Sequence, residues 1–366
     1  MRITMVTLES LHTDCRYFRG HVPCKPHKQH GVHCQDCPYY ERIEQRILII
    51  KLGAIGDVIR TTPLLHRLKA EYPHSAIYWL TYSPLVVPKI VDHVLKFTPE
   101  DVVRLQQTEF DLLINLDKDA EACALANSIS AKEKKGFVFR NGIPWPANEQ
   151  AMDKYLTGLF DDLSRVNQKS YLQELFEICG YEFAGEKYIL DNFSGSYQWP
   201  LDRTKKVIGL NTGCGGRWKS RLWAEENWIS LAQQLLLKGY QVLLLGGPEE
   251  HEKNLRLAQA SRAAYLGHFP LQQFISEMDQ CDLVVTAVTM AMHIAIGLGK
   301  KLVLFNNTFN RNEFEMYGLG EILEPEFECD CYYAAECPNN CMQYIYVKRV
   351  LTACERLLPQ TSHAGD

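Results

Sequence analysis

The run Arg46-Ile47-Leu48-Ile49-Ile50-Lys51-Leu52-Gly53-Ala54-Ile55-Gly56-Asp57-Val58-Ile59-Arg60-Thr61-Thr62-Pro63 decides the fold of this chain. Its apolar opening, residues 47–50, is too short for a helix and rich in β-branched side chains, the signature of a buried parallel strand. A turn with two glycines follows, then an apolar-periodic helix carrying Val58, Leu64, Leu65 and Leu68. Strand, glycine turn and helix N-terminus together aim backbone N–H groups outward and favour negative charge. In a doubly wound sheet, ligands bind at this carboxyl edge of the strands. Asp57 stands there. It reads either as a first-turn aspartate that stabilises the helix or as a catalytic carboxylate, and spacing alone favours the former. The turn is not G-x-G-x-x-G, so the dinucleotide fingerprint is missing.

Outward from this run the alternation continues. Residues 47–52, 76–81, 94–97 and 112–115 read as strands, with helical patterns near 58–71 and 84–91 and over 170–180. Residues 140–146 read as a turn-rich loop. The polar, aperiodic stretch 191–204 reads as an interdomain linker. Strand and helix patterns then restart, with strands at 207–210, 242–245, 283–285 and 302–305, helices at 228–238 and 292–298, and a closing helix at 346–358. The expected architecture is α/β, with two Rossmann-like doubly wound domains (46–190 and 205–366) facing a cleft, behind a small cysteine-rich leader (1–45).

Composition bounds the function. The chain has 366 residues, 46% hydrophobic and 23% charged, with a net charge of −5. Generic nucleic-acid binding needs a basic excess and is not expected. No apolar run approaches a membrane span. The N-terminal residues lack a signal-peptide core, so a cytoplasmic protein is expected, with peripheral membrane contact left open. Thirteen cysteines are many for such a chain, and in a reducing compartment clustered thiols point to metal rather than disulfides. Cys15, Cys24, Cys34 and Cys37, interleaved with histidines, are the expected ligands of a structural zinc, an iron–sulfur cluster being the second choice. Four cysteines leave no open position for catalysis. The second cluster, Cys329, Cys331, Cys337 and Cys341, reads as reduced thiols packing a loop.

Three turns in the second half carry candidate chemistry. Residues 212–223 join glycines to Arg217, Lys219 and Arg221, which suits a diphosphate. Gly246-Gly247-Pro248-Glu249-Glu250 ends a strand with carboxylates able to accept a ribose diol. Thr286-Ala287-Val288-Thr289-Met290-Ala291-Met292-His293 sets hydroxyls and a histidine at a strand-to-helix turn.

Taken in order, L-G-A-I-G-D-V-I-R-T-T-P, W-K-S-R-L-W-A-E-E-N-W, G-G-P-E-E, T-M-A-M-H-I-A and a cysteine-rich tail ending in C-M resemble glycosyltransferase family 9, the lipopolysaccharide heptosyltransferases and their relatives. The resemblance spans about residues 47–358. It implies a GT-B fold and an inverting transfer, without a catalytic metal, from a nucleotide-sugar donor such as ADP-heptose to a lipid-linked or surface-glycan acceptor. It makes Asp57 the general base, Arg221 and the Thr212–Gly213 turn the phosphate side, Glu250 the ribose contact, and Thr289 and His293 members of the family's D-[T/S]-G-x-x-H pattern. Val288 and Met290 replace that pattern's aspartate and glycine, which would leave the sugar to other groups, with Glu313 and Asn307 as candidates. Two other readings stand beside it: a nicotinamide-dependent oxidoreductase on the same sheet, and a catalytically degenerate protein that docks a partner.

Overall fold

The chain, described by a computed structural model over residues 7–191 and 194–359, forms two α/β sheets. Residues 192–193 of the expected linker and the chain's two ends lie outside the described residues. The first sheet contains β1 (Arg46–Ile50), β2 (Ala76–Thr81), β3 (His93–Lys96), β4 (Phe110–Asn115), β5 (Ala131–Arg140) and β6 (Ile143–Pro146). Their order is β3-β2-β1-β4-β5-β6, parallel except for the β5–β6 pair. Residues 47–50 of β1 are fully buried, as a central parallel strand covered on both faces requires. Strand order reverses between β1 and β4, as in dinucleotide-binding sheets.

The second sheet contains β7 (Val207–Asn211), β8 (Gln241–Leu245), β9 (Leu283–Ala287), β10 (Lys301–Phe305) and β11 (Gly320–Leu323), in the order β11-β10-β9-β7-β8, all parallel. Counted within this sheet that is 2-1-3-4-5, the other common doubly wound order, with its reversal between β7 and β9. The helices Glu225–Leu237 and Val347–Leu357 share its core, which holds Trp223, Trp228 and Phe305 in mutual ring contact. Among the described residues no helix is long and apolar enough to cross a membrane.

Contacts divide the chain into two compact units. One comprises residues 1–51, 64–81 and 89–148, the other residues 52–63, 82–88 and 149–366. The glycine turn after β1, and the helix Ile55–Thr61 that it opens, therefore belong with the second sheet. Gly56 shows why: a Cβ there would lie 2.6 Å from the His293 ring.

Three expectations are corrected. The leader does not gather its cysteines. Cys15 sits at a bridge to Arg42, Cys24 precedes the helix Lys25–His30, and Cys34 and Cys37 flank a separate turn. Spacings of eight and nine residues put them on separate pieces of chain. Hydrogen bonding holds the leader instead: Arg16 reaches Asp92, Glu41 and the Ser75 carbonyl. Residues 84–91 are not a helix beyond one turn, Pro84–Val86, because Pro88 cannot continue it. Residues 140–146 are not a loop. β5 and β6 close a hairpin on Asn141-Gly142, both at positive φ (51° and 82°), the two-residue turn that this dipeptide favours.

Candidate active site

β7 and β9 end side by side where the second sheet reverses, and Arg221 bridges the turns that leave them. Its Nη1 donates to the Val288 carbonyl and its Nη2 to the Cys214 carbonyl at 3.4 Å. The guanidinium lies over the rings of Trp218 and Phe309, 5.3 and 5.5 Å from their centroids. Arg221 is 9% exposed, and its Nε has no hydrogen-bond partner. Among the described residues no carboxylate pairs with it, and burial pulls it down to about 10. A cation held dry by carbonyls and ring faces, with no carboxylate beside it, carries an uncompensated desolvation cost. Lys253 adds a second cation. Its Nζ donates to the Thr212 carbonyl at 2.9 Å, and burial lowers its pKa.

The turns themselves are set by buried polar bonds. The Thr212 hydroxyl points inward and donates to Asn254 Oδ1 at 2.6 Å, while the Asn254 amide donates to the Leu245 carbonyl. Thr212 thus shapes the turn, with its hydroxyl, its N–H (to the Leu245 carbonyl at 3.3 Å) and its carbonyl all engaged within the protein. Glu250 accepts from the Gly247 N–H at 2.9 Å and lies directly on Gly213, where any Cβ would overlap its carboxylate. A side chain at Gly213 would therefore force the Glu250 carboxylate to move. Thr289 caps the helix Met290–Gly297, accepting from the Ala291 N–H at 3.2 Å and sharing a hydrogen bond with Thr286.

His293, one turn into that helix, is buried against Gly56, and its Nδ1 lies 3.2 Å from the Tyr188 hydroxyl. Burial and the nearby Arg60 hold its pKa down to about 3, so the ring is neutral. Asp57 accepts from the Ala54 N–H at 3.1 Å and pairs with Arg60 at 2.7 Å. It is the first-turn capping residue and also a half-exposed carboxylate on the same edge. Arg60 lies half-buried over the Tyr171 ring, 3.4 Å from its centroid. Burial works against its charge, but Asp57, with Tyr171, Glu313 and Tyr188 adding to it, raises its pKa overall. Asp57 thus pairs with Arg60 directly, and Glu313 acts on it through its charge. Glu313 also accepts from the Tyr333 hydroxyl at 2.9 Å.

Among the described residues, the one group of three or more metal-ligating side chains close enough to share an ion is Cys329, Cys331, Cys337 and Cys341. Their ligand atoms all lie within 4.8 Å of one another, with Cys329–Cys337 and Cys331–Cys341 each at 3.4 Å. Tetrahedral zinc thiolate, with bonds of about 2.3 Å, places its sulfurs roughly 3.8 Å apart. N–H groups of Asn307, Asn339 and Cys341 point at three of the sulfurs, the outer bonds that thiolate ligands attract. The donor set fits a metal, at the opposite end of the chain from the expected one.

The structure brings Thr212, Gly213, Arg221, Glu250 and Thr289 to the second sheet's switch point, and Asp57 to His293 through Gly56. The Asn307 amide N–H groups are committed to the Ser220 carbonyl and Cys341 Sγ, while its Oδ1 is buried without a hydrogen-bond partner. Sequence reasoning missed Arg60, Tyr171, Tyr188, Lys253 and Asn254. None carries a local signal except Arg60, which lies one helical turn after Asp57 in the opening run.

Residues 102–315 match glycosyltransferase family 9 (heptosyltransferase). The lipopolysaccharide heptosyltransferase 2 of Salmonella typhimurium is 30% identical over 294 residues, covering 70% of this chain and 81% of that protein. The crystal structure of a family 9 glycosyl transferase from Veillonella parvula superposes with a TM-score of 0.63 at 20% identity, over 88% of this chain and 99% of that one. The E. coli ADP-heptose lps heptosyltransferase II also gives 0.63, at 18% identity, over 86% and 98%.

Proposed function

Because the chain belongs to glycosyltransferase family 9, we propose that its second sheet holds the diphosphate of an ADP-heptose-type donor and that Asp57 activates the acceptor hydroxyl. The single observation that carries this reading is Arg221, a buried cation without a counter-ion at the β7–β9 switch point. The donor domain is residues 205–366 and the acceptor domain residues 46–190, and the acceptor is a lipopolysaccharide-type glycan. The enzyme works in the cytoplasm, against the inner face of the membrane.

The chemistry follows from charge. The acceptor oxygen attacks the anomeric carbon from the face opposite the leaving group, so configuration inverts. As that bond forms, the bond from the anomeric carbon to the diphosphate oxygen breaks and its electron pair leaves with ADP. Asp57 takes the hydroxyl proton. Arg60, bound to the other side of Asp57, holds the carboxylate in place. Arg221, Lys253 and the 213–216 backbone receive the charge that develops on the leaving diphosphate, a preorganised stabilisation. Glu250 is the ribose carboxylate. Val288 offers no side-chain acceptor, so Glu313, beside Arg60, takes sugar hydroxyls in its place. The C-terminal thiolates hold a structural zinc. Four sulfurs drawn within 4.8 Å close around one ion rather than enclose several irons.

The test is a binding panel of ADP, UDP, GDP and CMP with their sugars, followed by turnover of ADP-heptose on a core-glycan acceptor. ADP selectivity, and an Asp57→Asn variant that keeps ADP affinity while losing at least about 100-fold in kcat, are the expected results. Unchanged turnover in Asp57→Asn would remove the base from this scheme.

A further inference from the structure

The loop that carries the four thiols is fastened directly to the residue before Arg221. Ser220, directly before Arg221, makes three hydrogen bonds outward. Its N–H donates to the Ala335 carbonyl at 2.9 Å, its hydroxyl to the Ala334 carbonyl at 2.7 Å, and its own carbonyl accepts from Asn307 at 2.8 Å. Ala334 and Ala335 lie between Cys331 and Cys337. The same Asn307 amide donates to Cys341 Sγ at 3.2 Å. A second arm leaves the loop at Tyr333. Its N–H donates to the Thr308 carbonyl, its ring packs edge-on against Phe309 at 5.1 Å, and its hydroxyl holds Glu313. Phe309 is one of the rings beneath Arg221.

We propose that the Cys329/Cys331/Cys337/Cys341 knot, closed by a metal ion, is the positioning element of the donor site, with Ser220 and Asn307 as the positioning residues that pass its rigidity to Arg221. This goes beyond the donor reading but rests on it for the role of Arg221. The physical case is one of entropy. The segment 326–341 has no regular element before the turn Cys341–Tyr344, so nothing local fixes the Ala334 and Ala335 carbonyls. Four thiol contacts alone order such a loop weakly, whereas four metal–thiolate bonds freeze it outright. Arg221 is held by the Val288 and Cys214 carbonyls and by two ring faces, with no carboxylate pair, so its reach to those partners depends on where the backbone at 220 starts it. Without the metal the turn Lys219–Arg221 loses two of its outward bonds, and the dry cation can swing to solvent. The knot touches no reacting atom; it sets where one sits.

The test is amide hydrogen exchange on the full-length protein, as purified, after stripping with a chelator under reducing conditions, and after adding back Zn²⁺ alone. ADP affinity and thermal unfolding are measured on the same samples. Metal analysis of the purified protein is expected to give one ion per chain, and a colourless spectrum distinguishes zinc from iron. On removal, peptides spanning 216–222 are expected to exchange at least ~10-fold faster, together with 329–341, while β7 and β9 stay protected, and Zn²⁺ restores both segments. ADP affinity falls in parallel. Faster exchange confined to 329–341, or a protein that neither carries nor takes up an ion with its thiols reduced, overturns the proposal. Exchange at 216–222 that responds to the metal in a protein that binds no nucleotide leaves the positioning element standing and removes the donor reading instead. Should the stripped protein unfold, the metal-loaded Ser220→Ala variant decides. Loss of one neutral hydrogen bond is expected to raise the KM for donor about three- to tenfold with kcat changed less. An unchanged KM, with native Tm, refutes the link.

Discussion

Replacing Arg221 by methionine should weaken diphosphate binding strongly while leaving the free protein about as stable as before. Burial pulls the Arg221 pKa down to about 10, which corresponds to about 3 kcal/mol of unfavourable desolvation carried by the free protein. A bound diphosphate relieves that cost, because it supplies the missing counter-charge at short range. Methionine fills a similar volume against Trp218 and Phe309 without charge, so the desolvation cost disappears. Against this, the Val288 and Cys214 carbonyls lose their donors, at about 1–3 kcal/mol for buried acceptors. The two terms nearly cancel, and Tm should move by only a few degrees. ADP affinity should fall by about 2–3 kcal/mol, some 30- to 150-fold. Adenosine, which has no phosphate, should bind the variant and the native protein alike. Titration calorimetry with both ligands, alongside thermal unfolding, separates these effects. An Arg221→Met protein that binds ADP within a factor of three of native, or that loses much of its stability, would show that Arg221 is a structural cation and would refute the reasoning.

Other perturbations have equally definite signs. Gly56→Ala drives a Cβ to 2.6 Å from the His293 ring, so it should cost about 1–3 kcal/mol of stability and displace Asp57 enough to lower kcat, read by denaturant unfolding and turnover. Burial pushes the Glu277 carboxyl from 4.5 up to about 8. The folded state keeps that proton between these values while the unfolded state releases it, so stability falls as pH rises from 4.5 to 8. Glu277→Gln should remove the dependence and stabilise the protein by about 4 kcal/mol at pH 7.5, with little effect at pH 4.5. His293 acts over a different window. Its pKa is about 3 folded against 6.5 unfolded, so the unfolded chain takes up a proton that the folded one refuses. Stability should drop by about 1.4 kcal/mol per unit as pH falls from 6.5 toward 3, and His293→Gln should flatten that slope. Unfolding curves at three or four pH values would check both.

The opening run and the turns that follow it determined the fold class and the family by themselves. Parallel strands buried on both faces must be written as short, continuous β-branched runs, so residues 47–50 and 207–210 were legible. Glycine turns at strand ends must carry glycine whatever surrounds them, so the Thr212–Gly213 and Gly246–Gly247 turns were legible too. The Asn141-Gly142 hairpin was equally available to a reading of turn chemistry, and the prolines around it obscured it. What residue order could not determine is which distant pieces meet. Metal ligation is a property of sulfur positions, and the leader's cysteines, although interleaved with histidines as zinc ligands often are, lie on separate elements. The C-terminal four converge because a loop folds back over Ser220 and Asn307. Arg221 could be named from its turn, but that it is dry and without a counter-ion depends on Trp218, Phe309 and the Val288 carbonyl, which folding brings together from three separate turns. Gly56 explains the division most simply. Its lack of a side chain reads as turn chemistry in the sequence, and in the folded protein it is the space that His293, more than two hundred residues later, occupies.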